Sequence, residues 1–388
     1  MRRFGTSLLM VVAAAGCRRA PTVTPLPLCD AGDCAWNVVG SAVDSAVRAG
    51  AAPGAVVAIS VAGRRYLHAA GQLGSDMPGA VGPSTVYDLA SLTKVVALTT
   101  VTMFAVADGR IRLDDPVQHY LPEFMGAGKD QVTVRNLLTH SSGLPAHRAL
   151  WREAPGRDSA LALVARTPLD TVPGARMVYS DLGAILLTRI VEHAYGQPVD
   201  RLFARLVARP LHLGSTRYLP PRSWLSRVAP TERDPWRGRL VHGEVHDENA
   251  AFLGGVSGHA GLFSDATDLL TFGEWLLGRR KPQLARPGPA LDTDVVQAFT
   301  RRPGVVAGSS RALGWDTPSQ GSSAGNRLSP ESFGHTGFTG TSIWIDPTRD
   351  LVVVLLSNRV NPTRDNPRLG PLRVLVADLA VEALETRR

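Results

Sequence analysis

The chain has 388 residues, of which 44% are hydrophobic and 20% are charged, a composition typical of globular proteins and not of disordered or fibrous ones. Its formal net charge is +8, but basic and acidic residues are interspersed without long runs of like charge, which argues against nucleic-acid binding. Only three lysines occur, Lys94, Lys129 and Lys281, so a lysine is an uncommon residue in this chain.

The N-terminal segment has the features of an export signal. Two arginines precede an apolar stretch over Leu8–Ala15, and the small residues Ala14-Ala15-Gly16 end it. Cys17 follows directly and resembles the lipobox of bacterial lipoproteins, although Ala14 stands where leucine is usual. We therefore expect residues 1–17 to be a lipoprotein signal peptide, with the mature chain exported and lipid-anchored at Cys17 on the periplasmic face of a bacterial membrane. A plain secretory signal is the alternative.

Residues 18–35 contain several prolines and threonines and are predicted to be a surface tether. The cysteine total is three, an odd number for an exported protein. Lipidation of Cys17 would leave Cys29 and Cys34 as a candidate disulfide in an oxidising compartment. Residues 36–388 contain no further apolar stretch long enough to span a bilayer and are predicted to form one soluble domain.

Two β-hairpins are predicted near the two ends of that domain. The runs Gly54–Val61 and Arg65–Ala70 flank the turn Ala62-Gly63. The runs Thr341–Ile345 and Leu351–Leu356 flank a turn that begins at Asp346. Between the hairpins, and again after the second, apolar residues recur at three- and four-residue spacing, which predicts helices. These are Val95–Val106, Leu182–Ala194, Leu269–Leu277 and Leu372–Leu384.

This order of elements predicts an α+β fold. The N- and C-terminal segments would together build one antiparallel sheet with flanking helices, and a mainly helical lobe would be inserted between them. The expected sheet lobe covers about 36–90 and 290–388, and the helical lobe about 91–289. A cleft between the two lobes is the expected binding site.

Ser91 and Lys94 form the first candidate catalytic motif. They are three residues apart at the start of a predicted helix, so their side chains should share one face. Serine becomes nucleophilic when a neighbouring base takes its proton. Lysine can serve as that base if burial or nearby cations lower its pKa towards neutrality. By itself the pair is also compatible with a helix-capping serine and a solvated lysine.

Two further motifs follow in the chain. Tyr179 precedes Ser180 and Asp181 at a predicted helix start, where its hydroxyl could share a proton with Ser91 and Lys94. His335-Thr336-Gly337-Phe338 leads into the predicted strand Thr341–Ile345, and a glycine there lets a substrate backbone lie along the strand. The backbone N–H groups of Ser91 and Phe338 would then form an oxyanion hole.

In this order the three motifs resemble those of the penicillin-binding protein and serine β-lactamase superfamily, which carries Ser-x-x-Lys, then Tyr-x-Asn, then Lys-Thr-Gly. Further segments resemble class C β-lactamase relatives, most of all penicillin-binding protein 4B-like serine hydrolases. These segments are Leu113–Pro116, Leu137–Leu144, Val245–Ala250 and Gly258–Ser264. The resemblance implies a β-lactamase/D,D-peptidase-like fold over the mature chain.

The resemblance also implies roles for the motif residues. Ser91 would be the acylated nucleophile, Lys94 its proton acceptor and Tyr179 their partner. Substrate would be bound by a second set of residues. This set is Asp181, His335, Thr336, Gly337 and Arg359. Asp181 replaces the usual asparagine and His335 the usual lysine, and both changes weaken the expectation of an efficient β-lactamase.

The predicted function is that of a serine hydrolase acting through an acyl-enzyme, with D,D-carboxypeptidase-like activity on cell-wall peptides. The alternatives are an esterase or weak β-lactamase, and a sensor lipoprotein that binds penicillin or peptide without turnover. Expected partners are a small peptide, ester or β-lactam substrate and the membrane, with no nucleic acid, cofactor or metal. Two weaker patterns are also present in the sequence. His242 and His246 could bind zinc but lie in a predicted loop, and the Gly-x-Ser-x-Gly around Ser323 lies in a Ser/Gly-rich loop.

Overall fold

A computed structural model of the chain describes residues 27–29, 34–279, 291 and 293–386. The predicted signal peptide, Cys17 and Lys281 lie outside the described residues. Cys29 and Cys34 are joined in a disulfide, with 5.4 Å between their Cα atoms. The described end of the predicted tether is packed and does not lie free on the surface, because Leu28 is buried and its backbone N–H donates to the carbonyl of Arg65.

The described chain contains both α-helices and β-strands, and their order is mixed. The α-helices are α1 (Asn37–Arg48), α2 (Thr100–Ala107), α3 (Val117–Tyr120), α4 (Val134–Leu138), α5 (Leu150–Glu153), α6 (Arg157–Arg166), α7 (Asp181–Tyr195), α8 (Val199–Phe203), α9 (Glu248–Phe252), α10 (Ala266–Leu276), α11 (Thr293–Thr300) and α12 (Leu369–Glu385). The strands are β1 (Gly54–Val61), β2 (Arg64–Gly74), β3 (Met77–Ala80), β4 (Tyr87–Asp88), β5 (Arg217–Tyr218), β6 (Arg233–Asp234), β7 (Arg239–Leu240), β8 (Leu262–Ser264), β9 (Phe333–Thr336), β10 (Ser342–Asp346) and β11 (Leu351–Ser357). A π-helical segment, Lys94–Thr99, runs directly into α2.

The main sheet has six strands in the order β3-β2-β1-β11-β10-β9, and its pairs are antiparallel. The N-terminal and C-terminal hairpins therefore meet where β1 pairs with β11, which confirms the predicted antiparallel sheet. Both faces of the sheet are covered. Val354 on β11 packs into the core shared with the helical lobe, and its neighbour Val353 packs against the core under α1 and α12.

One helix lies on the other side of the expected lobe boundary. Helix α10 packs against β1 and β11, although its residues fall within the range expected for the helical lobe. The Glu274 carboxylate on this helix accepts hydrogen bonds from Arg65 and Ser60 of the sheet. Gly273 permits the close approach, because a Cβ there would lie 2.6 Å from a methyl of Val352. Close packing and a buried ion pair thus attach α10 to the sheet, contrary to the boundary drawn from sequence.

Candidate active site

Ser91 lies at a strained turn between β4 and the π-helical segment. Ala90, directly before it, has a φ of +46°, a left-handed conformation that is unfavourable for a residue with a Cβ. The buried Asp88 carboxylate holds this turn, because one oxygen accepts from the Ala90 N–H at 2.9 Å and the other from the His246 N–H at 2.6 Å. Ser91 itself is partly exposed. The fold therefore presents the serine outward on a rigid turn.

Lys94 occupies the position beside Ser91 that the three-residue spacing predicts. Its Nζ lies 3.0 Å from Ser91 Oγ, donates to the carbonyl of His259 at 3.0 Å, and pairs with Asp181 Oδ1 at 2.7 Å. Lys94 is only 3% exposed. The three partners come from three separate parts of the chain, so tertiary structure fixes the ammonium group in front of the serine.

Burial and the neighbouring Asp181 carboxylate act in opposite directions on the pKa of Lys94. Burial disfavours the ammonium form, but the Asp181 carboxylate outweighs burial and raises the pKa of Lys94 above its ordinary value. Burial likewise opposes charge on Asp181, yet Lys94 and His147 lower the pKa of that carboxyl. The condition for Lys94 to act as a base, a lowered pKa, is therefore not met while Asp181 is ionised beside it. In the resting site Lys94 is an ammonium that donates to Ser91 Oγ and must lose a proton before it can accept one.

The start of α7 places the second motif. Ser180 is the helix cap, since its Oγ accepts from the Gly183 N–H at 3.2 Å. Its own N–H donates to His140 Nδ1 at 3.1 Å, and the Asp181 N–H donates to the carbonyl of Ala146 at 2.9 Å. Asp181 is thus the first residue of α7, where the helix dipole also favours its negative charge.

Two basic side chains and two histidine rings contact the Tyr179 ring. Lys94 Nζ lies 5.0 Å and the Arg311 guanidinium carbon 5.1 Å from the ring centre. The rings of His140 and His335 lie 4.5 Å and 5.8 Å away, centre to centre. The Tyr179 hydroxyl oxygen is buried and makes no hydrogen bond of normal geometry with the described residues, but it is close enough to Lys94 to contribute to the raised pKa of the lysine. The hydroxyl is therefore placed to share a proton with Lys94.

The connection between β9 and β10 is fixed against the Ser91 turn. A Cβ on Gly337 would lie 2.3 Å from the carbonyl oxygen of Leu89, so only glycine allows this approach. Thr339 Oγ1 donates to the Asp88 carbonyl at 2.7 Å, and Thr341 Oγ1 donates to the Leu89 carbonyl at 3.0 Å. These bonds hold the third motif beside the first.

The predicted oxyanion-hole donors belong to these two connected segments. The backbone N–H groups of Ser91 and Phe338 make no hydrogen bond with other described residues. Thr336 lies at the end of β9, paired with Ser342 of β10, and precedes Gly337. The Phe338 side chain is 48% exposed, so it forms part of the surface around the site. Both N–H groups remain available for a ligand oxygen.

His335 and Arg359, the two predicted substrate-binding residues that can carry positive charge, differ in burial, since His335 is buried and Arg359 only partly so. His335 is 4% exposed, and burial followed by the Arg311 charge lowers its pKa well below the ordinary value, so the ring is neutral. The Arg359 guanidinium donates to the carbonyls of Arg364 and Asn366 and lies 4.7 Å from the Phe338 ring centre.

Two residues near the reacting groups were not identified from sequence. His147 Nδ1 lies 3.7 Å from Asp181 Oδ2, its side chain is 52% exposed, and the Asp181 carboxylate raises its pKa. Arg311 contacts Tyr179 as described above. Both lie in segments without a motif or helical period, so no local signal marks them.

His242 and His246, the candidate zinc ligands, each contact other groups. His242 Nε2 lies 2.9 Å from the carbonyl oxygen of Val228, and His246 Nε2 lies 2.8 Å from a Glu232 oxygen. Within the described ranges, no cluster of three or more His, Cys, Asp or Glu side chains is arranged to hold a metal ion. The same ranges contain no helix long and apolar enough to cross a bilayer.

Comparison with known proteins shows which family the chain belongs to. The family model described as Beta-lactamase matches residues 40–378. The chain belongs to the β-lactamase family. A protein of Escherichia coli (strain K12) named "Putative D-alanyl-D-alanine carboxypeptidase" is 32% identical over 331 residues, which cover 76% of this chain and 74% of that protein. The family and this relative make the protein a serine hydrolase, as predicted.

Solved structures show the same fold for this β-lactamase-family chain. A structure titled "A class C beta-lactamase" has a TM-score of 0.72 at 20% identity, covering 90% of this chain and 96% of its own. A penicillin-binding protein homolog from Caulobacter crescentus has a TM-score of 0.72 at 22% identity, covering 91% and 99%. EstCE1, titled "a hydrolase with promiscuous acyltransferase activity", has a TM-score of 0.71 at 21% identity, covering 89% and 98%. The predicted β-lactamase/D,D-peptidase-like fold is confirmed.

Proposed function

We propose that this serine hydrolase acts through an acyl-enzyme at Ser91 and has D,D-carboxypeptidase-like activity on cell-wall peptides. The observation that carries the proposal is the contact of Lys94 Nζ with Ser91 Oγ at 3.0 Å, at a turn flanked by the free N–H of Phe338. The name of the Escherichia coli relative supports the substrate class.

The geometry suggests the order of events. Ser91 Oγ attacks the substrate carbonyl carbon, and its proton passes either to a Lys94 that has first released its extra proton to solvent, or to the Tyr179 oxygen while the Tyr179 proton moves to the leaving nitrogen of the substrate. The N–H groups of Ser91 and Phe338 stabilise the resulting oxyanion. The C–N bond then breaks, the departing amine takes the proton, and water hydrolyses the ester at Ser91. Each group in this sequence is one that the fold brings to the same turn.

Asp181 supports a peptidase or esterase over an efficient β-lactamase. An asparagine at this position could donate to a substrate carbonyl, whereas a carboxylate only accepts, and this one is already paired with Lys94. Esterase activity is the second candidate, because the neutral His335 offers no charge to a substrate carboxylate at the position where the family pattern has lysine.

We also propose that the enzyme acts outside the cytoplasm, anchored to a bacterial membrane through Cys17. The N-terminal pattern and the substrate class, a cell-wall peptide, support this location. Labelling with radioactive palmitate would test it. Label in the wild type that is lost in Cys17→Ala supports the anchor, and an unlabelled, cleaved, exported wild type would mean a plain secretory signal.

Release of D-alanine tests the proposed activity. Wild type, Ser91→Ala and Ser323→Ala would be given a peptide ending in D-Ala-D-Ala, a p-nitrophenyl ester and a fluorescent penicillin. We expect D-alanine release by wild type and Ser323→Ala and none by Ser91→Ala. Ester turnover without D-alanine release would favour the esterase. A stable penicillin adduct with no turnover of any substrate would favour the sensor.

A further inference from the structure

The segment that carries Arg311 is fixed between the sheet and the helical lobe. Asp316 pairs with Gly334 of β9, which extends the edge of the main sheet. Gly314 has a φ of +84°, and a Cβ there would lie 2.0 Å from Thr99 Oγ1 on the π-helical segment. Because both sides of the segment are in close contact with other elements, the Arg311 backbone has little freedom to move.

The Arg311 side chain is largely buried and incompletely paired. Its guanidinium carbon lies 5.1 Å from the centre of the Tyr179 ring. Its Nε and Nη1 atoms are buried and have no hydrogen-bond partner among the described residues. Arg311 Nη2 lies 3.8 Å from Asp316 Oδ2. The other carboxylate oxygen, Oδ1, accepts a hydrogen bond from Ser310 Oγ at 2.7 Å. A buried cation with so weak a counter-ion is costly unless a nearby group uses its charge.

The Arg311 charge acts on two histidines that also contact Tyr179. For His140 and His335 alike, burial is the main cause of a pKa well below the ordinary value, and Arg311 is the next. Lys94 lowers both values further, and Asp181 raises both. The two histidines are therefore neutral, which leaves Arg311 and Lys94 as the cations in contact with the Tyr179 ring.

We propose that Arg311 is a positioning residue of the active site that holds the Tyr179 ring and supplies a fixed positive charge beside it while the Ser91 proton is transferred. This inference rests on the proposed function. A fixed cation next to a group that gains negative charge in a transition state needs no reorganisation and lowers the barrier. The alternative is that the arginine only packs on the ring and that its charge is unused.

Charge and packing can be separated with three variants. Arg311→Met keeps much of the side-chain volume without charge, and Arg311→Lys keeps the charge. Arg110→Met is the matched control, because Arg110 also lies over a tyrosine ring, 4.8 Å from the centre of Tyr195, but away from the site and half-exposed. The measurements are kcat and KM for a p-nitrophenyl ester from pH 5 to 10, the melting temperature, and NMR titration of the histidine rings.

We expect kcat of Arg311→Met to fall at least about tenfold with little change in KM, a smaller loss than the roughly 10²- to 10³-fold seen on removing a donor that contacts the oxyanion directly. Arg311→Lys should keep most of the activity, and Arg110→Met all of it. Loss of the cation should also raise the pKa of His140 and His335 in Arg311→Met but not in Arg311→Lys. Full activity of a folded Arg311→Met, or equal losses in both Arg311 variants at unchanged melting temperature, would overturn the proposal.

If Arg311→Met does not fold, Arg311→Gln replaces it, since its amide can satisfy some of the polar contacts without charge. The histidine titration needs no turnover, so it reports on Arg311 even if no ester or peptide is hydrolysed. Absence of turnover in the wild type would contradict the proposed function. Unchanged histidine titration in the uncharged variant would contradict the inference about Arg311.

Discussion

Two buried lysines, Lys94 and Lys129, lie in contrasting surroundings. Both are less than 5% exposed, and each lies close to an aromatic ring. Lys94 is paired with the Asp181 carboxylate at 2.7 Å, which raises its pKa against the effect of burial. Lys129 donates to the carbonyl of Ala165 at 2.6 Å and lies 4.6 Å from the Phe124 ring centre, and burial lowers its pKa.

The contrast shows what burial does and does not determine. Burial disfavours the ammonium form at both positions, but only Lys94 has a carboxylate close enough to reverse the result. The scarcity of lysine in the sequence therefore does not distinguish a catalytic lysine from a structural one. The nearby serine and carboxylate make that distinction, and they are brought to Lys94 by the fold.

Replacing each lysine by methionine should give the largest difference between the two regions. Lys94→Met removes the group that exchanges a proton with Ser91, so acylation by a fluorescent penicillin or an ester should slow by about 10²- to 10⁴-fold. Lys129→Met should acylate at the wild-type rate. Equal rates for the two folded variants would show that Lys94 has no special role.

Asp181→Asn would make the surroundings of Lys94 more like those of Lys129. Without the carboxylate, burial would dominate and the pKa of Lys94 would fall, which increases its neutral fraction at pH 7. The acylation rate at that pH should rise about tenfold for each unit of that fall, and the acid limb of the pH profile should move to lower pH. The exposed Asp158→Asn is the control. Slower acylation at every pH would mean that the carboxylate has a direct chemical role.

The pKa of Lys94 is raised and that of Lys129 is lowered, so the two lysines should affect the pH dependence of the free energy of unfolding differently. A lysine whose folded pKa is lowered binds fewer protons in the folded state, so wild-type stability should rise with pH as it approaches the ordinary lysine pKa. Urea unfolding at pH 8 and pH 10 should show this rise in the wild type and a smaller one in Lys129→Met. Lys94→Met should not reduce the rise in stability between pH 8 and pH 10. A lysine with a raised folded pKa contributes its full stabilisation at every pH below the ordinary lysine pKa, so its loss does not create or remove such a rise. Identical slopes in wild type and Lys129→Met would contradict the assignment.

His147→Gln should have the smallest effect. His147 faces the Asp181 oxygen that is not bound to Lys94, at 3.7 Å and half-exposed to solvent. Exposed pairs of this kind contribute little, so we expect less than about a threefold change in acylation at pH 7. His193→Gln, on the exposed side of α7, is the control. A change as large as that of Asp181→Asn would mean that His147, and not Asp181 alone, controls the charge of Lys94.

Local sequence pattern predicted the elements of the fold well. Alternating and continuous apolar runs predicted β1, β2, β10 and β11, and helical periods predicted α7, α10 and α12, because both signals depend on neighbours a few residues apart. The placement of α10 was less predictable. It depends on the ion pair between Glu274 and Arg65, more than 200 residues apart in the chain.

The sequence alone determined the family and the candidate nucleophile with its lysine, because Ser91 and Lys94 are one helical turn apart and the companion motifs follow in a recognisable order. Tertiary structure decided the chemistry around them. Asp181 makes Lys94 an ammonium, His335 is buried and neutral, and Arg311 lies beside Tyr179. A pKa depends on the charges and burial within a few ångströms, and those neighbours come from segments far apart in the chain.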